Sequence, residues 1–189
     1  MHLIVGLGNK GSAYSLTRHN IGFEAVERYA YMNSMKISTK GLYSHYAKSA
    51  KLVLAKPQTY MNLSGQAVWA LARYFSVANE NILILHDDLD FEPGIIKIRK
   101  SGSGGSHNGI RDIIEVFGTQ DIARVRIGIG RPQGPAKKDY VLSRFNEAEI
   151  PIMQQAVLAA CEAVDAFIYG GIDYAMNECN RKGRPGDNA

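Results

Sequence analysis

Two cysteines are all the chain carries, Cys161 and Cys179, and neither sits at zinc-site spacing. This excludes a disulfide framework and fits a reducing cytosol. No apolar run approaches the roughly 18 residues that suggest a membrane span. No basic segment followed by a long apolar one opens the chain, so no export signal is expected. Internal repeats are lacking. Neither charge sign dominates: 22 Lys and Arg against 18 Asp and Glu leave +4, which permits a polyanionic partner without requiring one. An activated serine is not expected either. Gly102-Ser103-Gly104 is the nearest approach to a nucleophile elbow, and its spacing and context fail.

What is present is ordinary globular sequence. Hydrophobic residues make up 46% of 189, enough for a sizeable core in one domain spanning 1–189. The stretch from about 180 to 189, ending "RKGRPGDNA", reads as a frayed basic tail. Short apolar runs at His2–Leu7, Lys51–Ala55 and Asn81–His86 read as strands. So do Leu42–Ser49, with a turn at Ser49-Ala50, and Ile95–Arg99. Ala123–Gly130 alternates Val125, Ile127 and Ile129 with Arg124, Arg126 and Gly128, a strand with one buried face. Helical spacing marks about 20–33, Ser64–Phe75 (Val68, Leu71, Ala72, Phe75) and the segment carrying Ile110, Ile113, Ile114 and Phe117. Asn146 and Glu149 fit a capping box. They precede a helix through Val157, Cys161, Val164 and Ile168 that should end at Gly170-Gly171, although Pro151 falls late for a first turn. "SGSGGSHNG" and "RPQGPAKKD" read as loops. Alternating strands and helices predict an α/β fold, a single domain with a mixed twisted β-sheet flanked by helices on both faces.

The first loop raises a specific question. Gly6, Gly8 and Gly11 match G-x-G-x-x-G, the phosphate-cradling turn of dinucleotide-binding folds. That use requires a helix starting within the motif and an acidic residue ending a second strand some 20 residues on. Here the loop continues through Arg18, and Glu24 and Glu27 fall inside helical sequence. A nicotinamide cofactor is therefore not expected, and the glycines must permit another close approach.

Polar groups recur where strands end or helices begin: Asn9, His19-Asn20, Tyr60-Met61-Asn62, His86-Asp87-Asp88 and His107-Asn108. Histidine suits proton transfer near neutral pH. A carboxylate on one ring nitrogen, from Asp87 or Asp90, makes the other nitrogen more basic. Carboxamides can steady an oxyanion without adding charge. Together these groups suit a water activated by His19 attacking an ester. Blander uses stay open at this point. His19-Asn20, Asn62 or Ser64, and His107-Asn108 can be helix starts. "HDDLD" can be a solvated turn or a magnesium site, and "SGSGG" an inert linker. Lys97, Arg99, Lys100 and Arg111 flank the glycine-rich loop, and Arg124, Arg126, Arg131, Lys137, Lys138 and Arg144 follow. They form either a phosphate-binding surface or a solvated face. His2, His45 and Tyr43 have no defensible partner pattern.

Five stretches, in order from residue 3 to about 145, carry a resemblance: "LIVGLGN-G---Y--TRHNIGF", "KPQTYMNLSGQAV", "HDDLD", "G-GG-HNGIRDII" and "RVRIGIGRP". The chain resembles bacterial-type peptidyl-tRNA hydrolases. The resemblance implies a mixed twisted sheet and hydrolysis of the ester joining peptide to tRNA. By position it makes His19 similar to the catalytic general base and Asp87 to the carboxylate that orients it. Asn9, Asn62 and Asn108 are similar to the amides lining the site, with Met61 as an apolar wall, Tyr14 near the entrance and His107 at the mouth. Arg99 or Lys100, with Arg126, resembles the clamp on the tRNA 5′-phosphate. The partner implied is peptidyl-tRNA, with no metal or organic cofactor, no membrane, a monomeric state and a cytoplasmic location. Two positions depart from the pattern: Lys10, where the family usually has Pro, and Ser106, often Gly. The competing expectation is an RNA-binding α/β module without catalysis, which would tolerate loss of His19.

Overall fold

Apolar runs too short for core helices become the middle of one sheet. A computed structural model describes residues 1–132, 134 and 137–181. In chain order the elements are β1 (His2–Gly6), α1 (Ile21–Met32), β2 (Thr39–Gly41), β3 (Ser44–Lys48), β4 (Leu52–Pro57), α2 (Ser64–Tyr74) and β5 (Ile82–Asp88). There follow β6 (Ile96–Arg99), α3 (Asn108–Phe117), β7 (Ala123–Gly128), α4 (Lys137–Leu142) and α5 (Glu149–Arg181). The strands lie in the order β2-β3-β4-β1-β5-β7-β6. The central four, β4, β1, β5 and β7, run parallel, and the flanking strands pair antiparallel. The expected mixed sheet is present.

Strand alternation sorts the core into two layers. Leu83 and Leu85 of β5 face α1 and α5, among Ile4, Val125, Ile127, Val164 and Phe167. Ile82 and Ile84 face α2 and α3, among Leu3, Val5, Val68, Leu71 and Ile113. The four β5 residues are fully buried, worth about 1.5–3 kcal/mol each against exposure. α5 is long and apolar enough to cross a membrane by length and composition, but its inner face, Met153, Ala160, Val164 and Phe167, fills the core.

The first-loop glycines act in packing. A Cβ on Gly6 would lie 2.0 Å from the Gly22 carbonyl oxygen, and one on Gly22 would lie 2.4 Å from that of Leu85. The start of α1 therefore rests directly on β1 and β5, with no room for a side chain between them.

Several boundaries differ from expectation. The strand expected over Leu42–Ser49 is β3, trimmed to Ser44–Lys48, and it forms a hairpin with an unexpected short strand, β2, through a turn at Leu42 and Tyr43, whose φ values are 51° and 56°. Positive φ is rare without glycine, so nothing in the residue types signals the turn. Part of the loop expected over 131–139 is helical, as α4; Gln133, Pro135 and Ala136 lie outside the described residues. The helix does break at Gly170-Gly171, as expected: Gly171 leaves helical geometry (φ 76°, ψ −175°), and what lies beyond it, carried here under the same label α5, is a second helical stretch running to Arg181. Asn180, where the tail was expected to begin, is bonded to β6. Its Oδ1 accepts from the Ile98 amide at 2.8 Å and its Nδ2 donates to the Ile98 carbonyl at 3.0 Å. Residues 182–189 of that expected tail lie outside the described residues.

Candidate active site

Parallel strands deliver their carboxyl ends to one edge, where open α/β sheets form crevices. Here β1 delivers Asn9, β4 delivers Met61 and Asn62, and β5 delivers Asp87. These line a cavity of about 910 Å³. His19, in a single 3-10 turn (Arg18–Asn20) before α1, enters from one side. Tyr14, the glycine-rich loop with His107 and Asn108, and Val141 and Leu142 of α4 complete the wall.

The floor of the cavity is a shared carboxylate. His19 Nδ1 lies 2.7 Å from Asp87 Oδ1, and His107 Nε2 lies 3.0 Å from the same oxygen. The Ile110 amide donates to His107 Nδ1 at 3.2 Å, so the ring caps α3. With Nδ1 accepting, the proton of His107 sits on Nε2 and is donated to Asp87. His19 likewise donates from Nδ1. Among the described residues nothing hydrogen-bonds His19 Nε2, which leaves that nitrogen as a base. Burial alone would lower the His19 pKa below 6.5, but the charge of Asp87 and its hydrogen bond raise it. Burial alone would raise Asp87, but the facing His19 and His107 hold it well below the ordinary carboxylate range. His86, buried beside His107, donates from Nδ1 to the Asp87 carbonyl at 2.7 Å, and its Nε2 has no hydrogen-bond partner among the described residues. Burial and then His107 keep its pKa well below 6.5, so the ring is neutral.

Asn9 and His19 are each held by residues whose role the sequence did not declare. Asn20 does not cap α1. Its Oδ1 accepts from the Asn9 amide at 2.8 Å and its Nδ2 donates to the Asn9 carbonyl at 3.0 Å. Asn9 Oδ1 accepts from the Met61 amide at 2.9 Å, which leaves Asn9 Nδ2 for the cavity. Arg18, 6% exposed, makes a two-pronged ion pair with Glu149 at 2.8 and 2.6 Å. Its guanidinium also stacks on Tyr140 and Phe145 at 4.4 and 4.7 Å. Glu149 is held below its usual range by the Arg18 hydrogen bonds. It closes the expected capping box with Asn146 as well, both bonds at 2.9 Å. His19 is thus fastened to the start of α5.

The basic residues divide. Arg99, Arg124, Arg126, Lys137 and Lys138 line the cavity. Lys100 does not; its ammonium pairs with Asp173 at 3.1 Å on the surface. Arg126 lies on Phe91 at 4.7 Å and pairs with Asp88 and Asp90, and Arg131 also holds Asp90. Arg124 shares the face of Arg126 but is buried against backbone carbonyls.

His19, Asp87 and His107 have donor atoms within 4.8 Å of one another, close enough to hold a metal ion. The hydrogen-bonding state does not fit one. His107 Nδ1 already accepts from Ile110, so Nε2 carries a proton toward Asp87 rather than a lone pair.

Comparison with known proteins gives consistent results. The sequence profile of the family described as peptidyl-tRNA hydrolase matches residues 3–186. A protein named peptidyl-tRNA hydrolase from Desulforamulus reducens is 44% identical, over 96% of this chain and 90% of that protein. One of the same name from Mycoplasmopsis synoviae is 42% identical, over 99% and 100%. The crystal structure of peptidyl-tRNA hydrolase from Acinetobacter baumannii superposes with a TM-score of 0.89 at 36% identity, covering 95% of this chain and 94% of that one.

Proposed function

The chain belongs to the peptidyl-tRNA hydrolase family, and from that premise we propose how its cavity carries out the reaction. The enzyme hydrolyses peptidyl-tRNA, freeing peptide and tRNA. A water bonded to His19 Nε2 attacks the ester carbonyl at the terminal ribose. His19 takes the water's proton, and Asp87, bonded at 2.7 Å, stabilises the imidazolium. The carbonyl oxygen becomes an oxyanion steadied by carboxamide N–H groups. Collapse breaks the bond to the ribose oxygen, which leaves with the proton from His19. General-base assistance supplies about 10²- to 10⁴-fold of the rate.

The observation that carries this reading is the single carboxylate oxygen bonded by two imidazoles at the cavity floor, with His19 Nε2 left open. Asn9, with Oδ1 committed to Met61, offers only donors. Asn108, whose Oδ1 accepts from Arg111, does the same. Asn62 completes the set, Met61 supplies an apolar wall, and Tyr14 flanks the entrance. Donors suit the carbonyls of a peptide. A free aminoacyl ester, with a charged amine in place of the amide, leaves such groups unpaired. Arg99 and Arg126 form the phosphate contact, and Lys100 stands outside it. The enzyme works as a cytoplasmic monomer on tRNA, without a metal. Nothing in the site favours RNA binding without catalysis.

The test is incubation of purified protein with N-acetylated aminoacyl-tRNA and with free aminoacyl-tRNA, with and without EDTA. Cleavage of the acetylated substrate alone, indifferent to chelator and lost in His19→Ala, is expected. Equal cleavage of both substrates, or an active His19→Ala, refutes the mechanism.

A further inference from the structure

Arg124 is 4% exposed and has no carboxylate partner among the described residues. It bonds only backbone. Nε donates to the Ile122 carbonyl at 3.2 Å and Nη1 to that of Ser103 at 3.1 Å. Nη2 donates to Gly102 at 2.8 Å and Gln120 at 3.2 Å. The Gly102 amide itself donates to Gln120 at 3.2 Å. One guanidinium therefore ties the first half of the glycine-rich loop to the turn that enters β7. The next residues pass that position on. A Cβ on Gly104 would lie 2.5 Å from Arg111 Cγ, so the loop rests on α3 there. The His107 amide donates to the Gly104 carbonyl at 3.0 Å. Gly102 and Gly105 have φ of 132° and 53°, conformations that hold no side-chain bulk to stiffen the loop.

We propose that Arg124 is a positioning residue of this enzyme: by fastening Gly102 and Ser103 it sets where His107 and Asn108 stand against Asp87. This deepens the reading of Asp87, His107 and Asn108 as site residues and rests on it. The planar fork of arginine reaches carbonyls on two separate segments, which a lysine ammonium cannot do. Burial, then the nearby Arg126 and Arg99, lower the Arg124 pKa to about 10, so it remains charged at neutral pH. The carbonyl cage leaves that charge unneutralised. With four of its five N–H groups engaged, Arg124 is occupied as a fastener rather than open to substrate phosphate.

The test compares wild type, Arg124→Lys, Arg124→Ala and His19→Ala, by hydrogen exchange along the chain and by turnover of N-acetylated aminoacyl-tRNA. In Arg124→Lys, exchange over 101–107 should quicken while β1, β5 and α1 keep their protection. Its kcat should fall on the order of 10- to 100-fold, with KM changed less than about threefold. Millimolar guanidinium added to Arg124→Ala should restore part of both loop protection and kcat, and should do nothing for His19→Ala. Unchanged loop exchange overturns the proposal. So does a raised KM at constant kcat, the signature of a lost phosphate contact, and so does loss of protection throughout the sheet in both Arg124 variants, the signature of a core support. An active His19→Ala with normal loop protection would refute the water mechanism and leave the fastening role standing.

Discussion

Replacing Asp87 by asparagine separates the two things its carboxylate does. On the proposed mechanism the charge stabilises the imidazolium of His19 in the transition state, and the oxygen fixes the tautomer. A charge-assisted hydrogen bond contributes about 1.5–3 kcal/mol, roughly twice a neutral one. The amide keeps the neutral bond and should therefore lose about half of this, roughly 0.7–1.5 kcal/mol of transition-state stabilisation, a fall of about 3- to 13-fold in kcat. The tautomer should survive for a structural reason. His107 Nε2–H needs an acceptor at the same Oδ1, 3.0 Å away, so the amide cannot turn its NH2 toward His19 without facing two donors. Asp87→Ala removes the acceptor as well and should cost more, toward about 10³-fold. In Asp87→Asn with His107→Ala the amide is free to flip, and the loss should exceed the product of the single losses. The pH profile supplies an independent readout. The general base must be neutral, so kcat/KM rises with pH through the His19 pKa, which Asp87 raises against burial. Without the carboxylate charge only burial remains, so the acid limb should move to lower pH and the deficit should narrow in acid. Steady-state kinetics on N-acetylated aminoacyl-tRNA across pH decides the matter. Equal losses in Asp87→Asn and Asp87→Ala, or an acid limb that stays in place, would refute the reasoning.

Three further outcomes are expected. Arg18→Met leaves Glu149 without its partner and should lower stability by about 2–4 kcal/mol in urea denaturation, with activity falling beyond what unfolding explains. Glu149 is held below 4.5, so its share of stability is present above 4.5 and is lost as pH falls through the lowered value; the gap between variant and wild type should shrink there. Gly22→Ala puts a Cβ 2.4 Å from the Leu85 oxygen and 2.6 Å from the Leu7 nitrogen; a loss of about 3 kcal/mol is expected, and a thermal midpoint equal to wild type would contradict the packing. Asp90→Asn removes an exposed carboxylate shared by Arg126 and Arg131; KM should fall by about two- to fivefold at low salt, and log KM should rise more steeply with log salt, whereas an unchanged slope would argue that neither arginine meets phosphate.

Sheet and site differed in how far sequence could reveal them. β5 was legible because Ile82–Leu85 form an unbroken apolar run, and a parallel strand buried on both faces needs one. The capping box before α5 was legible because both its bonds are local in sequence. The β2–β3 turn was not, because Leu42 and Tyr43 adopt conformations their side chains disfavour. The candidate site was legible as polar residue types at strand ends, helped by a five-motif resemblance, and the fold gathers those residues round one cavity. Its supports were not. Arg18 meets Glu149 across 131 positions, and Asn20 meets Asn9 across 11; no local period records such partners. Arg124 and Arg126 share one strand face by alternation, yet one is caged by carbonyls and the other is paired with Asp88 and Asp90. Spacing fixes the direction of a side chain, and tertiary neighbours fix what it does there.

The ion pair between Arg18 and Glu149 also has a meaning in time. Synthesis runs from the amino end, so the Asp87 contact of His19 needs only chain made up to β5, whereas the Glu149 that grips Arg18 is made 131 positions after it. The turn that carries the imidazole thus receives its second anchor only after α5 has begun to be made.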